Sequence, residues 1–142
     1  MRAGLAAAPW LIKPNTEELA EALGCEVVSV TAQAQAASRL HAQGVEHVVI
    51  SHGADGVNWF SVGAAMHATP PKVSVVSTVG AGDSLLAGML HGLLSADTPE
   101  QTLRTATAIA AMAVTQIGFG ISDVAHLAQL EQGVRVRLLT EQ

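Results

Sequence analysis

The chain has 142 residues, of which 49% are hydrophobic and 13% charged, and its formal net charge is -5 at pH 7. A disordered chain is excluded, because the apolar content is high and the net charge is low. The few basic residues argue against a nucleic-acid partner, and the single cysteine excludes a disulfide framework. Since no apolar stretch reaches the roughly 20 residues of a membrane span, we expect a cytoplasmic protein with no membrane partner.

The predicted elements alternate between strands and helices. In chain order they are a strand at 10–13, helices at about 16–23 and 31–43, a strand at 45–50, a hairpin at 57–68, a strand at 73–76, and helices at about 83–94, 99–116 and 123–132. Asn15 or Thr16 caps the first helix and Gly24 ends it. This order predicts the α/β class, with a mostly parallel sheet flanked by helices and one β-hairpin.

The predicted sheet has an unprotected edge, because the chain begins almost directly with an apolar strand. A sheet of about three core strands would expose a hydrophobic edge, which is a pairing hazard in water. We therefore expect residues 1–142 to form a single partial domain of a larger assembly.

The segment from Val76 to Leu85 has the richest chemistry. Its Gly80-Ala81-Gly82 turn joins a strand to a helix, so backbone N–H groups converge there with the positive end of the helix dipole and can hold an anion. Asp83 at the helix start could accept a proton from an attacking hydroxyl, or could simply stabilise the dipole. The segment lacks the Lys-Ser/Thr of a Walker loop and the third glycine of a dinucleotide fingerprint.

The histidines show no metal-ligand spacing such as His-x-x-x-His. We expect them on the surface or on helix faces. They are His41, His47, His52, His67, His91 and His126.

Four segments together resemble the ribokinase-like carbohydrate kinases, and their order along the chain is the same. They are the Ser-Thr-Val-Gly-Ala-Gly-Asp-Ser signature at 77–84, the Lys-Pro-Asn-x-x-Glu segment within 11–18, the nucleotide loop at 51–56, and the Ala-rich helix at 105–115. Two positions depart from the family pattern, since Ser77 is often Asp and His52 is more commonly Leu. The form of the signature resembles the sugar-phosphate kinase branch of the family.

The resemblance implies a role for each matched residue. Asp83 would be the general base that takes the proton from the sugar-phosphate hydroxyl. N–H groups at Gly80, Ala81 and Gly82 would stabilise the γ-phosphoryl group as its charge redistributes. The nucleotide-binding residues would be Lys13, Asn15, Ser51, His52, Gly53, Ala54, Asp55, Gly56, Thr78, Thr107 and Ala111.

Metal ions are implied in the same way. Asn15 and Glu18 would organise Mg²⁺ through water, which suits a hard cation that keeps its hydration. Carbonyl groups beside Ser77 and Val79, and others after the Ala-rich helix, would hold a monovalent cation such as K⁺.

The resemblance implies ATP-dependent phosphorylation of fructose 1-phosphate at its 6-hydroxyl. Tagatose 6-phosphate and fructose 6-phosphate remain open as acceptors, and a non-catalytic nucleotide-binding half-protein remains open as a different class. The family's early strands and small β lid have no counterpart in this sequence, so we expect an N-terminal half as partner. The complete enzyme would be a homodimer, and the chain alone would be inactive.

Overall fold

The structure is a computed structural model, which describes residues 7, 9–116, 121 and 123–139. Its described residues form five strands and five α-helices. The strands are β1 (Leu11–Ile12), β2 (His47–Ser51), β3 (Val57–Ser61), β4 (Ala64–Thr69) and β5 (Arg135–Leu138). The helices are α1 (Thr16–Leu23), α2 (Val30–Ala42), α3 (Ala81–Leu94), α4 (Pro99–Val114) and α5 (Val124–Gly133), and a 3₁₀ turn covers Gly53–Asp55.

The strands form one mixed sheet in the order β1-β2-β3-β4-β5. β1 runs parallel to β2, with Leu11 opposite His47, whereas β3 runs antiparallel to β2, with Val49 opposite Trp59. The α/β class and the hairpin are thus confirmed. The sheet contains a larger antiparallel part than the predicted alternation of strands and helices suggested.

The predicted strand at 73–76 is wrong. This segment has no regular secondary structure, and its Val75 and Val76 side chains are 63% and 56% exposed. The backbone N–H of Val76 donates to the carbonyl of Val114 at 2.7 Å. Val114 is the last residue of α4. A β-branched sequence becomes a strand only where another strand pairs with it. The short strand β5, conversely, has no counterpart among the predicted elements.

The described residues divide into two compact units. The first unit lies within Met1–His52, Val57–His67 and Leu138–Gln142, and the second within Gly53–Gly56 and Ala68–Arg137. The expectation of a single partial domain stays a prediction. No helix in the described ranges combines the length and the apolar character that a membrane crossing requires.

The first unit has a core of aliphatic side chains between the sheet and its two helices. Leu19 of α1 and Leu40 of α2 are fully buried with Val48 and Ile50 of β2. Asn15 caps α1 and Gly24 ends it with a φ of 70°, as expected.

One histidine of this unit is buried, so the expectation that all histidines lie on surfaces or helix faces is wrong. His47 on β2 is 8% exposed, and its Nδ1 accepts a hydrogen bond from Trp59 Nε1 at 3.2 Å. Trp10 packs edge-on against the same ring, with 5.0 Å between ring centroids. Burial lowers the pKa of His47 below its ordinary value of 6.5; Glu46 opposes this shift and His41 adds to it.

The second unit is built on a close pair of helices, α3 and α4. A Cβ atom added at Gly88 would lie 2.7 Å from Cα of Ala106, and one at Gly92 would lie 2.6 Å from Thr102. Both distances are shorter than real Cβ atoms allow, so the two helices approach this closely only because Gly88 and Gly92 carry no side chain.

Polar groups join α4 to α5 in the same unit. Arg104 donates to the carbonyl of Val134 at 2.5 Å, to that of Glu131 at 3.3 Å, and to the carboxylate of Glu100 at 2.9 Å. The Glu131 carboxylate accepts from Thr105 at 2.9 Å and from Gln101 at 3.0 Å. A cation at the carboxyl end of α5 is favourable, because the last carbonyls of a helix lack partners within it.

Candidate active site

The carboxyl ends of β1 and β2 lie side by side in the first unit. Asn15 and Ser51 form an isolated parallel bridge, and the N–H of Ser51 donates to the carbonyl of Pro14 at 3.3 Å. Lys13 and His52 flank this bridge along the chain. Ligands of α/β proteins bind at this edge of a parallel sheet, so the structure places four predicted nucleotide-binding residues where such a site occurs.

Asn15 and Glu18 form a capping box at the start of α1. Asn15 Oδ1 accepts from the N–H of Glu18 at 2.7 Å, and Glu18 Oε2 accepts from the N–H of Asn15 at 3.1 Å. Both side chains are exposed. The box uses one oxygen of the carboxylate and leaves the other available for water, so this donor set fits a hydrated Mg²⁺ ion. Across the described residues, no three His, Cys, Asp or Glu side chains cluster around a possible metal position.

The second half of the predicted nucleotide loop is a tight turn that belongs to the second unit. Gly53, Ala54 and Asp55 are exposed and form the 3₁₀ turn, which the Gly56 N–H closes on the Gly53 carbonyl at 3.2 Å. Gly53 and Gly56 have φ values of 57° and 113°, a region that side chains disfavour. A Cβ at Gly53 would meet no atom within 4 Å, so it is the backbone conformation that requires glycine there.

The glycine turn before α3 has the geometry of an anion site. Gly80 is the N-cap of α3, with a φ of 83°, and no side chain caps this helix end. The helix begins at Ala81, two residues earlier than predicted, so the N–H groups of Gly82 and Asp83 lie in its first turn. Free N–H groups and the helix dipole favour a negative charge at such an end.

Asp83 is exposed in the first turn of α3. Within the described part of the chain, no hydrogen bond or ion pair engages its carboxylate. A base must be free to reach the proton it removes, and Asp83 meets that requirement.

The backbone before this turn contacts the end of the predicted adenine-binding helix. The N–H groups of Val76 and Ser77 both donate to the carbonyl of Val114, at 2.7 and 3.2 Å. The N–H of Val79 donates to Ser77 Oγ at 3.2 Å, and the carbonyl of Thr78 accepts from Ala81 at 3.4 Å. The segment expected to hold K⁺ thus lies beside the end of α4. The residues that directly follow this helix, 117–120, lie outside the described residues, so the K⁺ site stays a prediction.

Thr107 and Ala111 lie one turn apart on α4 and are buried, with exposures of 2% and 6%. The hydroxyl of Thr107 has no hydrogen-bond partner in the described residues, and neither has that of Thr102. A buried hydroxyl without a partner is costly, so the Thr107 hydroxyl is a candidate group for a polar ligand atom. The adenine contact of Thr107 stays a prediction.

The structure also contains polar residues that the sequence did not identify. Gln33 of α2 and Asn58 of β3 are 1% and 3% exposed, and Asn58 Nδ2 donates to Gln33 Oε1 at 2.7 Å. His67 Nδ1 lies 2.6 Å from Asn58 Oδ1, and His52 Nε2 lies 3.1 Å from Gln33 Nε2. A signal was present, because Gln33 shares the buried stripe of α2 with Ala36, Ala37 and Leu40.

Comparison with known proteins decides the family. Residues 2–125 match the pfkB family of carbohydrate kinases. The chain belongs to this family. It is 49% identical to the 1-phosphofructokinase of Vibrio cholerae over 137 residues, covering 96% of this chain and 43% of that protein. The expected membership of the ribokinase-like kinases is confirmed.

Two solved structures of the same fold are similar to this chain at 26% identity. Phosphofructokinase-2 from Escherichia coli in complex with potassium superposes with a TM-score of 0.81, covering 92% of this chain and 43% of that one. Arabidopsis thaliana ribokinase complexed with ribose and ATP superposes with a TM-score of 0.80, covering 93% of this chain and 43% of that one. The chain therefore spans less than half the length of the relatives it matches.

Proposed function

We propose that this chain is the nucleotide-binding and catalytic-base portion of a kinase that phosphorylates fructose 1-phosphate with ATP. The main support is the glycine turn at the start of α3, where no side chain caps the helix and Asp83 lies in the first turn with an unpaired carboxylate among the described residues. The similarity to the 1-phosphofructokinase of Vibrio cholerae supports fructose 1-phosphate as the acceptor.

In this proposal Asp83 removes the proton of the sugar hydroxyl as that oxygen attacks the γ-phosphoryl group. The N–H groups of the Gly80 turn bind the phosphoryl oxygens, where charge redistributes as the bond to the leaving nucleotide breaks. These groups are already oriented by the helix, so they need no reorganisation during the reaction. Thr78 in the preceding segment belongs to the same phosphate site.

The nucleotide is held by two other parts of the chain. Lys13, Asn15 and Ser51 at the strand ends bind its phosphates, and the Gly53–Asp55 turn binds next to them along the chain. Thr107 and Ala111 contact the adenine, where the Thr107 hydroxyl finds its polar partner. The exposed capping box of Asn15 and Glu18 holds Mg²⁺ through water, and the ion, when bound, neutralises phosphate charge.

A monovalent cation is part of the proposal too. The backbone at Ser77 and Val79 lies against the end of α4, and carbonyl groups in this segment are the donors that K⁺ would need. The similar phosphofructokinase-2 structure is described as a complex with potassium. We expect K⁺ to raise nucleotide affinity in this chain.

A chimera tests the proposal directly. The chain replaces the matching portion of Vibrio cholerae 1-phosphofructokinase, and ADP release is measured with fructose 1-phosphate, fructose 6-phosphate and tagatose 6-phosphate in turn. We expect turnover of roughly 1–100 per second with fructose 1-phosphate. Preference for another sugar phosphate would reassign the substrate, and a folded chimera without turnover would favour a non-catalytic nucleotide-binding role.

The isolated 142-residue chain provides a second measurement. The resemblance places the groups that hold the sugar in the part of the relatives that this chain does not span. Positioning of the two reactants supplies most of the catalysis of phosphoryl transfer. We therefore expect the isolated chain to bind ATP and to release no ADP in response to a sugar phosphate.

A further inference from the structure

Four polar side chains form a continuous hydrogen-bonded row through the first unit. The row runs from His67 on β4 through Asn58 on β3 and Gln33 on α2 to His52, the first side chain after β2. Gln33 and Asn58 are almost completely buried. Buried polar groups in a core of small apolar residues lower stability unless every one is paired, so the hydrogen bond between Gln33 and Asn58 is what lets this core contain them.

The donors and acceptors of the row are fixed by its middle members. Gln33 Nε2 lies 3.4 Å from the carbonyl of Val28, which can only accept, so the amide nitrogen of Gln33 faces that side. Gln33 Oε1 then accepts from Asn58 Nδ2, which leaves Asn58 Oδ1 to accept from His67 Nδ1. At the other end, Gln33 Nε2 donates to His52 Nε2.

His52 is consequently held as a neutral ring whose proton is on Nδ1. A proton on Nε2 would point at the Gln33 amide nitrogen 3.1 Å away. Its alternative acceptor, Gln33 Oε1, lies farther off at 3.4 Å and already accepts one hydrogen bond from Asn58. The row therefore fixes both the tautomer and the orientation of this ring.

Because His52 lies in the predicted nucleotide loop, fixing its ring also restricts the conformation of that loop. Its neighbour Ser51 is attached to β1 through the bridge to Asn15, while Gly53 has a positive φ and no side chain to hold it. A loop that is ordered before binding loses less conformational entropy when the ligand arrives. The hydrogen bond to Gln33 holds the His52 ring, which comes just before Gly53 in the chain, against the buried interior of the first unit.

We propose that Gln33 is a positioning residue for the nucleotide loop, which acts through His52 by fixing its Nδ1–H tautomer. The part about the loop's ligand rests on the proposed nucleotide binding, whereas the tautomer does not. The proposal concerns a hydrogen-bonded histidine within the predicted nucleotide loop.

The first experiment reads the tautomer in the ligand-free 142-residue chain. Histidine ¹³C and ¹⁵N chemical shifts distinguish the two neutral tautomers, and the His52 signals are assigned by their loss in a His52→Leu variant. We expect Nδ1–H in the wild-type chain and a mixture of tautomers in Gln33→Met. The matched control is Gln35→Met, an exposed position on the same helix, which should leave the His52 signals unchanged.

The second experiment measures binding of the magnesium complex of AMP-PNP, an ATP analogue, by calorimetry. Loss of one net hydrogen bond corresponds to about a 3- to 10-fold change in an equilibrium constant. We expect Gln33→Met to raise the Kd by that factor and Gln35→Met to leave it unchanged. In a His52→Leu background the Gln33→Met change should have little further effect on the Kd, because Gln33 acts on the loop through His52.

The outcomes separate the two proposals. An Nε2–H ring at His52 in the wild-type chain overturns the positioning role, whether or not the Gln33→Met chain folds. An unchanged Kd in a folded Gln33→Met chain overturns it as well. If the wild-type chain does not bind the analogue, the proposed function fails, and the tautomer measurement alone then decides whether Gln33 orients His52.

Discussion

The two units of the chain use different means to define their interiors. In the first unit, an aliphatic core contains buried polar groups such as Gln33 and Asn58, which are hydrogen-bonded to each other. In the second unit, Gly88 and Gly92 let two helices approach closely, and two buried threonine hydroxyls have no partner in the described residues. Hydrogen bonds fix buried side chains in the first unit, whereas steric closeness sets the distance between α3 and α4 in the second.

The difference indicates where a ligand would change the structure most. A satisfied polar row is already in its final arrangement, so a ligand gains from it by preorganisation. A buried hydroxyl with no partner in the described residues gains a hydrogen bond if a ligand supplies one, so a ligand that reaches it gains from it directly. The predictions below test each side of this contrast.

The largest expected effect concerns the free carboxylate of the second unit. Asp83→Asn in the chimera should lower kcat by about 10²–10⁴-fold, the usual contribution of a general base, and leave the KM for ATP nearly unchanged. Steady-state kinetics measure both quantities. Asp97→Asn, at an exposed position after the same helix, is the control and should be silent. Near-normal turnover in Asp83→Asn would remove this residue from the base role.

The next effect tests steric closeness. Gly88→Val should lower the free energy of unfolding by about 1–3 kcal/mol, because its side chain would overlap Ala106 on the facing helix. Urea denaturation measures the change. Ala87→Val, at the neighbouring exposed position, introduces the same side chain without the clash and is the control. Equal stability of the two variants would show that α3 and α4 are farther apart than the structure has them.

A smaller effect of opposite sign tests the orphaned hydroxyl. Thr107→Val should raise the free energy of unfolding by about 1 kcal/mol, because it replaces an unpaired buried hydroxyl by an apolar group of the same shape. It should also weaken ATP binding, since the adenine loses a partner. Thr102→Val on the same helix should give the stability gain alone. If both variants bind ATP as well as the wild-type chain, the adenine contact of Thr107 is wrong.

The smallest effect is the pH dependence of the first unit. Burial favours neutral His47, so the folded pKa is lower than the unfolded one and the unfolded chain binds more protons in acid. The contribution of His47 to stability is therefore complete above about pH 6.5 and is lost as pH falls towards the folded pKa. Urea denaturation between pH 7.5 and 5 measures this decline. His47→Gln should flatten it and the exposed-site control His91→Gln should not; an equally steep decline in His47→Gln would contradict the assignment.

Much of this molecule follows from local sequence rules. The Asn15 cap, the Gly24 end of α1 and the hairpin around Gly63 depend on residues only a few positions apart, and all three occur as predicted. The glycine turn before α3 was identified for the same reason, because its N–H groups and its φ requirement are properties of consecutive residues.

Other features were decided by contacts between distant residues. Segment 73–76 has the composition of a strand but lies against the end of a helix, since pairing depends on what lies beside it rather than on its own residues. From its residue type, His47 is predicted to be exposed. It is buried in the structure, where a tryptophan on the neighbouring strand donates a hydrogen bond to its ring. The row from His67 to His52 joins α2 to three segments of the sheet region, and sequence alone cannot bring them together, because hydrogen bonds between side chains form only after packing has set their distances.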